Sequence, residues 1–162
     1  MIRPATDAEV PLVSELAGRI WRAHYPSILS REQIEYMLAL MYDVAQLRRD
    51  LTRGVVYELL FDGDLAVGFC GYEQIGDELK LHKLYLEVTE HGRGLGSLML
   101  RHVEDEARRR GLRTVVLGVN RHNAKAIRAY QRNGYTVRQE LRTDIGGGFV
   151  MDDFIMEKQL QA

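Results

Sequence analysis

The stretch "EHGRGLGSLMLRHVEDEARRRG", Glu90 to Gly111, sets three glycines on alternate positions, Gly92, Gly94 and Gly96, at the mouth of a helical run. Glycine weakens a helix interior by about 1 kcal/mol relative to alanine. From about Gly94 to Arg110 the run carries Leu95, Leu98, Met99, Val103 and Ala107 on one stripe, and Gly111 stands where a left-handed residue ends a helix. Glu104–Arg108, Asp105–Arg109 and Glu106–Arg110 form acid-first pairs four apart, with the arginines at the end of the helix that favours cations. The helix therefore needs nothing from the glycines, and its N-terminus is the odd part. A helix start offers unpaired N–H groups and partial positive charge, and glycines remove the side chains that would hold an anion off. The three glycines around Arg93 point to a phosphate or pyrophosphate cradle. The plainer alternative is a tight strand-to-helix turn.

Outward from this loop the chain alternates strands and helices. "MIRPA" reads as a short strand, and "TDAE" (Thr6–Glu9) is a capping box before a helix with Val10, Val13, Leu16, Ala17 and Ile20 at helical spacing. "SREQ" (Ser30–Gln33) is a second capping box before "IEYMLALMY", and Asp43 caps a further helix through Leu51. "VVYELLF", the turn "DGD" and "LAVGFCGYE" form a hairpin, and "ELKLHKLYLEV" is a longer strand. After the glycine loop and its helix come the strand "RTVVLGV" and a helix, "NAKAIRAYQRNG", opened by Asn123 and closed near Gly134. "YTVRQEL" and "FVMDDFIMEKQL" close the chain as two strands joined by "RTDIGGG". The order is strand, helices, three strands, helix, strand, helix, two strands, a mixed α/β domain.

Composition bounds the function classes. The 162 residues, 46% hydrophobic and 28% charged, suit one globular domain with a sizeable core. A net charge of -1 gives no basic field, so no nucleic-acid partner is expected. Cys70 is the only cysteine, which excludes an internal disulfide and fits a reducing compartment. No apolar run reaches membrane-spanning length, and "MIRPATDAEV" lacks the apolar core of a signal peptide, so the expected location is cytoplasmic, with no membrane partner. His24, His91, His102 and His122 form no spacing that asks for a metal.

Two familiar phosphate motifs fit the loop poorly. A P-loop needs Gly-Lys-Ser/Thr, whereas Gly96 is followed by Ser97 and Leu98; the dinucleotide fingerprint is G-x-G-x-x-G, whereas this loop is G-x-G-x-G. "HGRGLG" (His91–Gly96) instead resembles the Gln/Arg-x-x-Gly-x-Gly/Ala signature of the GNAT superfamily of acyl-CoA-dependent N-acyltransferases. It departs only at its first position, where His91 stands. "NAKAIRAYQRNGY" resembles the same family's Asn-x-x-Ala-x-x-x-Tyr followed by Gly-Phe/Tyr, at Asn123, Ala126, Tyr130, Gly134 and Tyr135. The similarity spans the chain: "IRPATDAEVPLVSELAGRIW", "LHKLYL" and "GGGFVMDDFIMEK" look like a bacterial branch that includes PaiA-like polyamine acetyltransferases.

This resemblance implies an α/β fold, one domain over residues 1–162. Its mixed, mostly antiparallel sheet would have six to seven strands, flanked by four to five helices. It implies acetyl-CoA as co-substrate. The pyrophosphate would lie on backbone N–H groups of His91, Gly92, Arg93, Gly94, Leu95, Gly96 and Ser97, with the thioester and pantetheine against the backbone of Leu84, Tyr85 and Leu86. Asn123 becomes a pantetheine contact and Tyr130 the general acid for the leaving thiolate; by its residues alone Tyr130 is equally an amphipathic core tyrosine beside Ala126 and Ile127. Some family members carry a base glutamate where this chain has Gly118. Glu73 and His82 stand on strands facing the expected cleft, and His82, sharing the face of Leu84 and Leu86 if the strand has no bulge, is the candidate base. A partly buried strand histidine is the plainer alternative, and a water chain can replace a single base. Trp21, His24, Tyr25, Tyr36 and Tyr42 either line an acceptor pocket through cation–π contacts or belong to the core. Asp152 and Asp153 point to opposite faces of a late strand, where one can attract a cationic amine or both can be ordinary surface residues. The expected reaction is acetylation of a small cationic primary amine such as a polyamine. A protein N-terminus or lysine is the second acceptor class, and a non-catalytic CoA-binding module the alternative outside enzymes. Homodimerisation through C-terminal strands is a further expectation from the resemblance.

Overall fold

Apolar periodicity and local caps set the elements in the expected order. A computed structural model describes residues 1–161; Ala162, the last residue of the expected domain, lies outside them. β1 (Ile2–Pro4) leads through a 3₁₀ turn, Asp7–Glu9, into α1 (Val10–His24), then α2 (Arg31–Tyr42) and α3 (Val44–Arg53). β2 (Val56–Asp62), β3 (Leu65–Ile75) and β4 (Glu78–Leu86) precede α4 (Leu95–Arg109). β5 (Thr114–Asn120), α5 (Ala124–Arg132), β6 (Thr136–Gly146) and β7 (Phe149–Gln159) complete the chain.

The caps follow the chemistry of their residues. The Glu9 carboxylate accepts from the Thr6 N–H at 3.0 Å and from the Arg3 guanidinium, and the Arg3 bond is the main reason it is held down at about 2. Asp43 accepts from the Ala45 N–H, and Gly111 ends α4 at φ +73°. The second capping box forms only by half. Ser30 Oγ accepts from the Gln33 N–H, but the Gln33 amide turns away to donate to the Val150 carbonyl on β7 at 2.9 Å.

Of the three expected charge pairs of α4, Glu106–Arg110 forms at 2.8 Å and the other two do not. Glu104 is buried and takes bonds from Tyr135 Oη (3.1 Å) and Lys158 Nζ (2.8 Å), so it does not pair with Arg108. Arg108 pairs with Asp105, and Glu106 holds both Arg109 and Arg110. The buried stripe runs through Met99, Val103 and Ala107 with Leu100 on one side of it, while the expected Leu98, on the other side, is exposed.

The seven strands form one sheet in the order β1-β2-β3-β4-β5-β7-β6, antiparallel throughout except between β4 and β5. Each face carries its own apolar cluster. Met99, Leu100, Val103 and Ala107 of α4 pack with Leu79, Leu81, Val115 and Leu117 on one face. Leu16, Ile20 and Trp21 of α1, Met37 of α2 and Leu47 of α3 pack with Leu59 and Phe69 on the other. Burying each Val, Leu, Ile, Met or Phe among these stabilises the fold by roughly 1.5–3 kcal/mol. The fold is therefore a single-domain α/β layered structure, with five α-helices around a seven-stranded sheet among the described residues.

Two irregularities shape the middle of the sheet. β4 and β5 pair only over Leu79–Leu81 and Val115–Leu117, then part. At the same level the register of β4 against β3 slips, Leu81 facing Tyr72 and Lys83 facing Gly71, which leaves His82 as the extra residue of a bulge. At the far end β6 is an edge strand, nearly all of it exposed.

Candidate active site

The glycine loop owes its path to its missing side chains. Gly92 and Gly94 take φ of +84° and +76°, left-handed values that side chains disfavour, and a Cβ built on either meets nothing within 4 Å. Gly94 is the residue before α4, so the first N–H groups of the helix open onto unfilled space. The loop sits at the wide end of the fork between β4 and β5. Past Leu81 the strand edge of β4 that faces β5 has no ladder partner, so the backbone groups it presents there are paired with no strand.

Loop, fork and the α1–α2 region enclose one cavity of about 730 Å³. Its wall includes His82, Leu84, Tyr85, Leu86, His91, Gly92, Gly94, Leu95, Gly96, Ser97, Asn123 and Tyr130. Arg93 is the exception among the expected residues. Its guanidinium is held by Asp62 at 3.0 Å and by Glu90, so it does not line the wall. The cations that do are Lys125 and Arg132 of α5, with Lys80 and Lys83 of β4 and Arg53 of α3. Lys125 Nζ lies 2.7 Å from His91 Nδ1, and His91 Nε2 lies 3.2 Å from the Leu86 carbonyl, so an Nε2–H tautomer satisfies both contacts. Burial first, and then the charge of Lys125, lowers the His91 pKa.

The bulge decides where His82 points. Leu79, Leu81, Leu84 and Leu86 all belong to the α4-side cluster, which requires one extra residue between Leu81 and Leu84. His82 therefore does not share the face of Leu84 and Leu86. Its Nε2 bonds Glu73 Oε1 at 2.7 Å, and burial lowers its pKa although Glu73 pulls the other way. Glu73 itself does not line the cavity. Next to it, Lys83 reaches Tyr57 Oη at 2.6 Å and Asp50 at 3.5 Å, a network with no counterpart among the sequence expectations.

Asn123 caps α5, its Oδ1 accepting from the Ala126 N–H at 3.4 Å, and the same oxygen lies 3.3 Å from His24 Nε2 at the end of α1. Tyr130, two turns along α5, packs edge-on against Tyr135, and burial raises its phenol pKa. Trp21, Tyr25 and Tyr42 are buried in the α1-side core and also line the cavity. Tyr25 Oη and Tyr85 Oη lie 3.4 Å apart there. Tyr36 instead donates to the Ile145 carbonyl and packs on Phe149, away from the wall. Asp152 and Asp153 separate as expected. Asp152 pairs with Arg121 at 2.9 Å, whereas Asp153 lines the cavity, its carboxyl pushed up to about 6 by burial and then by Asp152. Among the described residues no helix is long and apolar enough to cross a membrane, and no group of three or more His, Cys, Asp or Glu is placed to hold a metal ion.

Comparison with known proteins gives the arrangement a family. A spermidine N(1)-acetyltransferase of Thermoplasma acidophilum is 27% identical over 166 residues, covering 99% of this chain and 98% of that protein. The crystal structure of PaiA N-acetyltransferase from Thermoplasma acidophilum in complex with coenzyme A superposes with a TM-score of 0.83 at 26% identity, covering 98% of each chain. The ribosomal-protein-S18-alanine N-acetyltransferase of Escherichia coli shares the fold, with a TM-score of 0.76 at 19% identity over 100% of this chain and 94% of that one. The pattern of the Acetyltransferase (GNAT) family matches residues 13–135. The chain belongs to that family and is an acetyl-CoA-dependent N-acetyltransferase.

Proposed function

We propose that the protein acetylates a small cationic primary amine, such as a polyamine, by direct attack on acetyl-CoA in a ternary complex. The observation that carries this reading is the single cavity in which the glycine loop, the open fork and an aromatic wall meet. The full-length similarity to a spermidine N(1)-acetyltransferase supports the acceptor class. In this reading the N–H groups from Gly92 to Ser97 take the pyrophosphate, the expected His91 N–H being already given to the Val88 carbonyl at 3.2 Å, and Lys125 and Arg132 add positive charge beside them. The free edge of Leu84–Leu86 takes the pantetheine and thioester, with Asn123 alongside. The thioester carbonyl develops negative charge during attack, which a backbone N–H of that edge can stabilise. Tyr130 protonates the departing thiolate. Trp21, Tyr25 and Tyr85, packed together on the cavity wall, supply the aromatic lining that favours an ammonium ion. The exposed edge of β6 supports a homodimer, which sedimentation analysis tests.

Release of free CoA from acetyl-CoA, measured across spermidine, simple primary alkylamines and peptides with free N-termini, tests the acceptor. Small amines should turn over. Rapid turnover of peptides with small amines inert would replace this reading by a protein N-acetyltransferase.

A further inference from the structure

Three carboxylates line the cavity, and two are already occupied. Asp50 takes hydrogen bonds from Tyr57 and Gln46, and Glu90 is paired with Arg93. Among the described residues no donor or cation is bonded to Asp153. Its position is specific. A Cβ built on Gly118 would stand 3.8 Å from Asp153 Oδ2, so the carboxylate hangs over the first β5 residue beyond the last β4–β5 pair, at the crotch of the fork. Gly118 leaves that space open, and the neighbouring strand β7 fills it.

We infer that Asp153 is the proton acceptor for the attacking amine, supplying from β7 the carboxylate that β5 lacks at Gly118. The inference rests on the amine-acetylation reading above. In the reaction the substrate ammonium gives one proton to Asp153 Oδ2. The freed nitrogen lone pair then forms the N–C bond to the thioester carbon, and collapse of the tetrahedral adduct breaks C–S. The departing thiolate takes the Tyr130 proton, the phenolate recovers one from the acylated nitrogen, and Asp153 releases its own to solvent. One proton is liberated per turnover, as the overall equation requires.

The groups acting on Asp153 are Asp152 of β7, Lys80 of β4 and Tyr25 from the turn after α1. Asp152 is tied to Arg121, Lys80 moderates the burial effect, and Tyr25 has its phenol pKa raised by burial, so it is not a competing anion. A carboxyl raised towards neutrality is a better-matched base than an ordinary aspartate. The rival base, His82, has its Nε2 engaged by Glu73.

The test uses the full chain with two acceptors: spermidine, cationic at pH 7, and methoxyamine, neutral there. Asp153→Asn should lower kcat/KM for spermidine by at least 100-fold and lose the acidic limb of its pH profile. With methoxyamine the same variant should lose less than about fivefold, since no proton need leave before attack. Gly118→Glu placed on Asp153→Asn should recover spermidine turnover by tenfold or more; the added Cβ meets only Ile155 and residue 153, at 3.6 and 3.8 Å. Equal losses with both amines, or a wild-type rate in Asp153→Asn, would overturn the assignment. So would loss of the acidic limb in His82→Gln but not in Asp153→Asn. A wild-type enzyme inert towards every amine removes the amine-acetylation reading itself, a result distinct from an active enzyme indifferent to Asp153.

Discussion

At the scale of single residues, Tyr130 carries a hydroxyl that burial keeps protonated, so near neutral pH it has a proton to give and does not serve as a base. A thiol with a pKa near 8.5 is a tolerable leaving group unaided. Tyr130→Phe keeps the ring contact with Tyr135 and should lower turnover on the order of 10²-fold, with acetyl-CoA affinity nearly unchanged. Unaltered turnover, measured where chemistry is rate-limiting, would reduce Tyr130 to a packing residue. Asp153 gives a prediction independent of catalysis. Its folded carboxyl, near 6, binds a proton more tightly than an unfolded aspartate near 3.9. Its contribution to stability is complete below about pH 4, declines as pH rises to about 6, and stays lost above. Asp153→Asn should therefore raise the melting temperature at pH 8 and leave it unchanged near pH 4. Equal shifts at both pH values would show that the carboxylate is not strained in the fold.

Among elements, the start of α4 and the bulge of β4 do most to make the site. Gly92 and Gly94 need left-handed backbone, so substituting them perturbs the loop as well as the cradle. Gly96 has no such constraint, and a Cβ there makes ordinary contact with Leu86 at 3.6 Å. Gly96→Val should keep the fold and raise the CoA dissociation constant at least tenfold, about 1.4 kcal/mol; unchanged affinity by calorimetry would remove the cradle. The elements themselves were legible because each announces its ends: Asp43 and Asn123 are caps with donors in reach, and Gly111 is a left-handed stop. The bulge left a trace that simple alternation misses. Leucines at 79, 81, 84 and 86 are spaced two, three, two, and the three marks the inserted residue. What no local pattern carries is the partner choice of long side chains. Arg93 turns to Asp62 across 31 positions, Glu104 to Lys158 across 54, and Gln33 abandons its own cap for β7. Asp153 was legible as a carboxylate with two possible faces; that Gly118 lies beneath it depends on the pairing of β5 with β7.

For the molecule as a whole, β1–β4 and β5–β7 are two halves of a sheet joined through three paired residues on each side and buttressed by α4. A ligand seated in the fork touches both halves, so its binding energy appears as stability of the entire fold. At a hundred times its dissociation constant, CoA should stabilise by about 2.7 kcal/mol and raise the melting temperature by roughly 5–10 °C. No shift at saturating CoA would mean that the fork is not its site. The unzipped stretch of β4 has a further consequence, in isotope chemistry. In an antiparallel ladder alternate residues turn their amides away from the partner strand, so some amides of Lys83–Leu86 point into the fork rather than at β3. In the free protein these should take up deuterium quickly while amides of the same strand at Leu79–Leu81, locked on both sides, stay protonated for far longer. Adding CoA should erase that difference, leaving β4 with one uniform exchange rate along its length, as if the cofactor were a short eighth strand.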